Sequence, residues 1–388
     1  MSLCVESMKL LSERGSTRAT RYATANKIVT IGDRTHVAWL DTISQTMTAT
    51  FDHRSGAWSA PVKVGDGADN HGGPALTCDS GQHLHIIFGP HNGPFQHCRS
   101  AKPNDASQWV RMPGFAKHAT YPSAVFDKSD TLHLIFRGGE GVKKLLYRKL
   151  PRDGEWSQAI VLARAPIESG YTHYHAALTI TSEGALHVSY DIYYNGAAKC
   201  AGHMMSRDGG GSWTLADGSA LKLPVRPDAD VFFKRAERLC TGGIVCDSKG
   251  RPWVSMNAPE FWHHDGRKWT CIRPGERVAP PVDAAGLAGL VPPSIDPDDR
   301  LYYPATLKGD VVLLYSDDMG ETFRMLKVLA KDEHLPHTGM NMERPTGHHR
   351  VRVPWLLFST GEKGPDCFGK GIYHKVHAVR FVAGKPAP

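Results

Sequence analysis

The chain has 388 residues, 41% hydrophobic and 22% charged, which is enough apolar material for a large core and excludes a disordered chain. Its formal net charge of +7 suits an anionic substrate, but no basic run with interleaved aromatic residues indicates nucleic acid as a partner. No apolar stretch of about 18 residues predicts a membrane span. Residues 1–20 are polar and lack the apolar core of a signal peptide. The compartment therefore stays open: secreted or periplasmic if a signal peptide has been removed, otherwise cytoplasmic.

A turn followed by an alternating apolar strand recurs along the chain. The copies lie at residues 32–39, 79–88, 127–136, 182–190, 247–254, 298–303 and 347–353. Six equivalent strand positions are separated by 49, 48, 54, 66 and 49 residues: His36, His85, His133, His187, Trp253 and Tyr302. A further step of about 50 residues reaches Arg352 in the seventh copy. This period predicts an all-β fold, a seven-bladed β-propeller of four-stranded antiparallel blades. We expect one domain over residues 1–388, a monomer, with segment 1–20 closing or flanking the propeller.

A second motif supports the repeat. Residues 206–213 match the Asp-box pattern SxDxGxxW, and residues 316–323 match it with Phe in place of Trp. In such a box the carboxylate caps a turn and the aromatic ring packs between blades. We therefore assign Asp208 and Asp318 a structural role. His85, His133 and His187 recur with the repeat, so they are interpreted as structural first.

Polar residues that depart from the repeat mark the candidate site. Residues 69–76 carry His71 into the second copy, and residues 89–95 carry His91 out of it, so the two histidines bracket one hairpin. Glycines beside them allow close backbone or substrate approach. The next copy is entered through Tyr121 and left through Arg137. We expect these four side chains to meet at one rim of the propeller.

This set of residue types suits β-elimination at a uronic acid. The C5 proton becomes removable when Arg or a protonated His neutralises the carboxylate. A His or a perturbed Tyr then takes the proton, and an acid protonates the departing glycosidic oxygen. The structural alternative is that His71 and His91 cap turns and that Arg137 pairs with a carboxylate.

The stretch from Asp69 to Leu76, the following strand, and Gly89-Pro90-His91 resemble the BNR-repeat polysaccharide lyases, seven-bladed propellers that include ulvan lyases and a rhamnose-releasing glucuronate lyase. The resemblance is strongest over residues 65–140. It also covers the 16-residue step from Tyr121 to Arg137. It implies that His71 and His91 share the base, acid or carboxylate-binding roles, with His71 preferred as general base. It further implies that Tyr121 assists as acid or base and that Arg137 holds the uronate carboxylate. The expected partner is an anionic polysaccharide such as ulvan or a rhamnose- and glucuronate-containing glycan.

Further residues are candidates for substrate or metal binding. Side chains expected to line sugar subsites are Asn70, Asn92, His173, His175 and Trp262. No cofactor is required for this chemistry, but the resemblance allows a structural zinc ion. Its candidate ligands are His175, Cys246, His263 and Cys271. Their spacing matches no compact zinc motif, so structural cysteines are the alternative.

Two rival functions remain open. Asp-boxes also occur in sialidases, and a glycoside hydrolase would use unassigned carboxylates such as Glu168, Glu260 and Glu343. A sialidase would also need three arginines around its substrate, for which Arg137, Arg235 and Arg344 are available. The other rival is a propeller that binds carbohydrate without turnover.

Overall fold

The computed structural model describes residues 2–22, 24–257, 259–281, 283–284, 286–289, 291–333, 337–349, 351–362 and 371–384. These residues form 31 β-strands and two short 3-10 helices, Pro274–Arg277 and Lys331–Glu333. All pairings between the strands are antiparallel. The predicted all-β class is confirmed. In this part of the chain, no helix is long and apolar enough to cross a membrane.

The largest sheet, sheet A, joins the two ends of the described chain. Its early strands are β1 (Leu3–Gly15), β2 (Ile28–Ile31), β3 (Arg34–Asp41), β4 (Gln45–Asp52), β5 (Ala57–Trp58) and β6 (Val62–Asp66). Its late strands are β29 (His337–Met342), β30 (Leu356–Gly361) and β31 (His374–Ala383). The strand order is β29-β30-β31-β1-β3-β4-β5, with β2 paired to β3 and β6 paired to β4. β1 is aligned with β31 from Leu3↔Ala383 to Gly15↔His374.

The second sheet, sheet B, carries the predicted site. Its strands are β7 (Ala75–Cys78), β8 (Leu84–Phe88), β9 (Gly93–Lys102), β10 (Asp105–Arg111), β11 (Phe115–Phe126), β12 (Leu132–Gly138), β13 (Lys144–Leu150) and β14 (Ile160–Ala163). The order is β14-β13-β12-β11-β9-β8-β7, with β10 paired to β9.

Three smaller sheets follow along the chain. Sheet C contains β15 (Thr172–His173), β16 (Ala177–Ile180), β17 (Leu186–Tyr194), β18 (Ala197–Ser206) and β19 (Phe232–Arg235). Sheet D contains β20 (Thr241–Cys246), β21 (Pro252–Met256), β22 (Glu260–His264) and β23 (Trp269–Ile272). Sheet E contains β24 (Leu287–Ala288), β25 (Ser294–Ile295), β26 (Leu301–Leu307), β27 (Asp310–Ser316) and β28 (Arg324–Leu329).

The repeated turn is held by an aspartate at its first position. In the turn between β7 and β8, Asp79 Oδ1 accepts the backbone amide of His83 at 2.8 Å, and Asp127 does the same for Thr131 at 2.8 Å. The second oxygen of each aspartate receives the repeat histidine: His85 Nε2 lies 3.3 Å from Asp79 and His133 Nε2 lies 3.1 Å from Asp127. These histidines therefore stabilise the hairpins, as predicted.

The Asp-boxes are structural, as predicted. Asp208 Oδ1 accepts the amide of Ser212 at 2.9 Å and the hydroxyl of Ser206 at 2.8 Å. Asp318 makes the equivalent bond to Thr322 at 2.9 Å. The box aromatic rings, Trp213 and Phe323, are both buried in apolar clusters between strands. These carboxylates serve turn geometry and packing.

The seventh copy was predicted at the wrong place. Residues 347–353 do not form a strand in the described part of this copy; the strand there is β30, which begins at Leu356. The segment between β29 and β30 crosses instead to sheet B, where Thr346 O accepts the amide of Phe126 at 2.9 Å. A Cβ on Gly347 would lie 2.2 Å from Phe126 O, so only glycine fits this approach. The alternating residues of a long crossing loop were therefore mistaken for a strand.

Candidate functional site

His71 and His91 lie together at one end of the β7–β8 hairpin. His71 precedes β7 and His91 follows β8, and their rings stack with centroids 4.2 Å apart at 16°. A Cβ on Gly72 would lie 2.5 Å from Gly89 O, so a glycine at this position lets the two loops touch. The predicted meeting of the two histidines is thus present in the structure.

Asp69 holds both histidine loops. Its Oδ1 accepts the backbone amide of His71 at 2.7 Å and lies 3.2 Å from His71 Nδ1. Its Oδ2 accepts the backbone amide of His91 at 2.8 Å. Burial would raise the pKa of Asp69, but the bonds from the His71 side chain and the two amides outweigh it and leave that pKa below its usual value. A charged carboxylate therefore fixes the orientation of the His71 ring.

His91 is half-buried and neutral near pH 7. Burial, followed by the charges of His71 and Arg137, lowers the pKa of His91 to about 4. Among the described residues, its Nε2 atom has no hydrogen-bond partner although it is shielded from solvent. His91 can therefore accept or donate a hydrogen bond to a substrate without carrying charge.

Tyr121 faces both histidines from the next hairpin. The register between β11 and β12 shifts between Thr120 and Ser123, and Tyr121 has a left-handed φ of 57° within this bulge. A bulge of this kind redirects a side chain. The Tyr121 ring lies 5.9 Å from His91 and 6.3 Å from His71. Burial and the neighbouring tyrosines raise the pKa of Tyr121 well above its usual value, so the phenol keeps its proton at neutral pH and has it available to donate.

Arg137 brings a buried cation to the same place. Its Nε donates to Thr172 O at 2.7 Å, and its guanidinium carbon lies 4.9 Å from the centre of the exposed Tyr171 ring. The charge partners of Arg137 among the described residues are tyrosines, and no aspartate or glutamate there forms an ion pair with it. Burial lowers the pKa of Arg137, opposed by the neighbouring tyrosines, but an arginine stays charged at neutral pH. The alternative that Arg137 pairs with a carboxylate is not what the described residues show.

The predicted sugar-subsite residues lie in different surroundings. His173 stacks on Tyr121 with centroids 4.6 Å apart and lies 4.0 Å from the His175 ring. Asn92 is exposed beside His91, whereas Asn70 is buried and donates to Thr17 Oγ1 at 3.3 Å. These four residues thus lie in or next to the loops that form the site.

Trp262 lies elsewhere, on β22 of sheet D. Its ring centroid lies 5.6 Å from that of Phe233 and 5.8 Å from Lys234 Nζ, and its Nε1 donates to Glu260 Oε2 at 3.3 Å. None of these contacts involves the four predicted catalytic residues. A role of Trp262 in a more distant subsite stays a prediction.

The structure corrects the predicted metal ligands. Among the described residues, the group of donor atoms able to hold a metal ion is His175, Asp191 and Cys240, whose donor atoms lie within 4.8 Å of one another. Only His175 belongs to the predicted set. The other predicted ligands do not join it and lie on three strands of sheet D: Cys246, His263 and Cys271. Cys240 reaches the group because it directly precedes β20, where the amide of Thr241 donates to Asp191 at 3.1 Å.

The donor set fits zinc. An imidazole nitrogen, a carboxylate oxygen and a thiolate sulfur are the ligands that zinc takes in proteins. His175 Nδ1 lies 2.8 Å from Asp191 Oδ2, so two of the three donor atoms are in direct contact. His175 is also linked to the site, since its ring lies 4.0 Å from the His173 ring that supports Tyr121.

Two residues near the histidines were missed. Tyr22 lies 6.0 Å from His71 and 4.9 Å from Tyr121 between ring centroids, and Arg18 donates a hydrogen bond to its hydroxyl. Both precede the first repeat, where no periodicity could single them out. The exposed Tyr171, whose ring lies 6.2 Å from His91, is a further candidate for sugar stacking.

A separate cavity of about 860 Å³ opens at the other end of the β7–β8 hairpin. Its walls include Gly32, Asp79, His349 and Trp355, and none of the four predicted catalytic residues. The turns there are those stabilised by the repeat aspartates. The convergent titratable groups therefore mark the opposite end of the hairpin as the candidate site.

Comparison with known proteins identifies relatives. The sequence profile of the family described as "BNR repeat-containing family member" matches residues 34–266. A protein named Ulvan Lyase-PL25 from Pseudoalteromonas sp. (strain PLSV) is 25% identical, covering 77% of this chain and 73% of that protein. An ulvan lyase from Alteromonas sp. (strain LOR) is 27% identical, and the match covers 61% of each chain. A solved PL25 ulvan lyase bound to -[GlcA(1-4)Rha3S]- superposes with a TM-score of 0.75 at 20% identity over 94% of both chains, which shows a shared fold.

Proposed function

The chain belongs to the BNR repeat-containing family, and on that premise we propose that it is a polysaccharide lyase that cleaves ulvan-type chains by β-elimination at a uronic acid. The relatives named ulvan lyases support this substrate class. The observation that carries the proposal is the convergence of His71, His91, Tyr121 and Arg137, with the two histidine rings stacked 4.2 Å apart. An anionic polysaccharide is accordingly the proposed partner, with no nucleic acid involved.

In the proposed reaction, Arg137 binds the uronate carboxylate and makes the C5 proton more acidic. His71 takes this proton as general base, because Asp69 stabilises the imidazolium that forms. The electrons of the C5–H bond form the C4=C5 double bond as the C4–O bond breaks. Tyr121 gives its proton to the departing oxygen. His91 stays neutral beside His71, so it does not repel the new positive charge.

The arrangement of the sheets also supports a proposal about the architecture. We propose that the sheets form seven four-stranded blades of a propeller in one domain, and that the protein is a monomer. Sheet B divides into two four-stranded units, since β9 meets β11 only at Phe115↔Phe95 and Ala119↔Gly93. Sheet A divides where β1 meets β3 only at Gly15↔Asp41, into a unit of four strands and a unit of five, in which the short strands β5 and β6 pair with separate parts of β4. Sheets C, D and E supply the other three. Light scattering would measure the mass in solution.

The rival hydrolase is not favoured by the carboxylates and arginines. Glu260 is bound to Lys234, Glu343 is buried and accepts the amide of Trp355 at 3.2 Å, and neither contacts the histidine pair. Arg235 donates to loop carbonyls, and Arg344 is buried and donates to Thr24 O at 2.6 Å. These contacts of Arg235 and Arg344 do not place either residue with Arg137 in the three-arginine cluster that a sialidase would need.

The test is the unsaturated product. Incubation with ulvan and other uronate polysaccharides should raise the absorbance near 235 nm that the C4=C5 double bond of the new uronate produces. His71→Ala and His91→Ala should each abolish it, whereas His133→Ala, which removes a repeat histidine, should lower stability and leave the reaction intact. New reducing ends without this absorbance would show hydrolysis and contradict the proposal.

We also propose that His175, Asp191 and Cys240 hold a structural zinc ion that supports His173 and, through it, Tyr121. The purified protein should contain zinc by mass spectrometry, and Cys240→Ser should lose it. Cys246→Ser is the matched control, since Cys246 lies outside the donor group. Equal metal content in both variants would contradict this site.

A further inference from the structure

The N-terminal segment places a strained tyrosine inside the candidate site. Tyr22 has a φ of 58°, a left-handed conformation that costs free energy in a residue other than glycine. Its ring packs on Gly73, where an added Cβ would lie 3.0 Å from Tyr22 Cδ2 and 3.1 Å from Tyr22 Cβ. The second glycine after His71 therefore makes room for this ring. The surrounding structure holds Tyr22 in place against its own backbone preference.

Arg18 polarises the hydroxyl of Tyr22. Its guanidinium NH1 donates a hydrogen bond to the Tyr22 oxygen, and its guanidinium carbon lies 5.7 Å from the centre of the ring. Burial raises the pKa of Tyr22, while the charge of Arg18 and the hydrogen bond from its guanidinium oppose that rise. The Tyr22 ring lies 4.9 Å from the Tyr121 ring between centroids, so Tyr22 contacts the Arg18 cation and Tyr121 at the same time.

On the basis of the proposed lyase function, we propose that Arg18 and Tyr22 form a hydrogen-bonded relay that orients the Tyr121 hydroxyl and stabilises its phenolate when Tyr121 protonates the leaving group. Tyr22 is a positioning residue, since it acts through Tyr121. With its own oxygen occupied by the Arg18 donor, Tyr22 can direct its proton to Tyr121, and the Tyr121 proton then points to the substrate.

The relay acts in the second half of the elimination, in which the leaving group departs. The C4–O bond breaks, its electron pair remains on the glycosidic oxygen, and that oxygen takes the proton of Tyr121. The phenolate left on Tyr121 accepts the hydrogen bond from Tyr22, whose oxygen remains bonded to Arg18. The C5 proton resides on His71 at this stage and passes to solvent, from which Tyr121 is reprotonated. Because burial makes the Tyr121 phenolate costly, a charge-assisted relay has most effect at this step.

The experiment compares two leaving groups in Tyr22→Phe. This variant keeps the ring on Gly73 and removes only the hydroxyl. With the polysaccharide, we expect kcat to fall about 10- to 100-fold with KM nearly unchanged, the effect of losing one charge-assisted hydrogen bond in the transition state. With a uronate that carries fluoride at C4, which leaves without a proton, the loss should be under about 3-fold. Tyr121→Phe should show the same dependence on the leaving group.

Tyr303→Phe is the matched control. It also removes one phenol hydroxyl that makes one hydrogen bond, to Gly289 O at 3.0 Å, but in sheet E. It should leave kcat unchanged with both substrates. If Tyr22→Phe fails to fold, Arg18→Gln tests the same relay, because it removes the cation and leaves Tyr22 in place.

The outcomes separate the relay from the lyase proposal. A wild-type protein that forms no unsaturated uronate would overturn both. An active wild type with Tyr22→Phe and Arg18→Gln equally active would overturn the relay alone. Equal losses with the polysaccharide and the fluoride substrate would also overturn it, because a purely structural role of Tyr22 would not distinguish leaving groups.

Discussion

Replacing Asp69 by asparagine should slow the reaction with little change in shape. The carboxylate accepts three bonds, from the His71 amide at 2.7 Å, the His71 ring at 3.2 Å and the His91 amide at 2.8 Å. An asparagine side chain has one oxygen, so its NH2 group must face at least one of these donors. The lost charge-assisted bond corresponds to about 1.5–3 kcal/mol. If that bond serves the imidazolium of His71 in the transition state, kcat falls about 10- to 150-fold.

The assay is the initial rate of absorbance increase near 235 nm with a uronate polysaccharide, together with thermal unfolding. Asp127→Asn is the control, because Asp127 holds His133 at 3.1 Å and the amide of Thr131 at 2.8 Å in a structural turn. We expect both variants to lose similar stability, roughly 1–3 kcal/mol, and only Asp69→Asn to lose activity. Full activity of Asp69→Asn, or an equal loss in Asp127→Asn, would refute the assigned role.

Gly72→Ala should abolish activity, because its Cβ would lie 2.5 Å from Gly89 O and would separate the two histidine loops. Gly114→Ala is the control and should be active in the same assay, because its Cβ would lie at an ordinary contact distance of 3.5 Å from Phe95 O. The protein should lose stability as pH falls from 6.5 to 4, since the unfolded chain binds protons there while burial keeps several histidines neutral. The histidines whose pKa is lowered to about 4 are His36, His91, His187 and His349. A melting temperature that stays unchanged between pH 6.5 and 4 would contradict this origin of the stability loss. Lys27→Met should raise the melting temperature at pH 6, because burial lowers the pKa of Lys27 to about 7 and the protonated amine is held in the core, where it donates to Pro74 O at 3.1 Å. The gain should shrink between pH 7 and 10.5, where the folded protein holds a neutral Lys27 while the unfolded chain still binds the proton; a gain independent of pH would refute this origin.

The β repeat and the pairing of His71 with His91 could be predicted because both depend on local spacing. The turn aspartates and alternating strands are read directly from the chain, and the two histidines bracket a single hairpin. The bulge that turns Tyr121 toward them was not visible, but the position of Tyr121 at the entrance of the next strand was sufficient to nominate it.

The rest depends on contacts between distant segments. Tyr22 reaches the site from the N-terminal segment, and its only trace in the repeat is the glycine at position 73 on which it packs. The group of three donor atoms combines residues before β16, on β17 and before β20, so the convergence of His175 with Asp191 and Cys240 is a product of tertiary structure. Residue type alone nominated Cys246, His263 and Cys271, because the sequence does not show which donor atoms converge in space.

The alignment of β1 with β31 has a consequence for how activity is acquired. The segment that carries Arg18 and Tyr22 directly follows β1, and Thr20 Oγ1 donates to Gly339 O at 2.8 Å, far along the chain. Contacts of such long sequence separation form late in folding, since the loop entropy must be overcome first. During refolding, we expect the strands and the histidine pair to form before the relay, so that catalytic rate recovers after the β-sheet signal. In this molecule the pairing of β1 with β31 and the placement of Arg18 and Tyr22 beside Tyr121 would be one event.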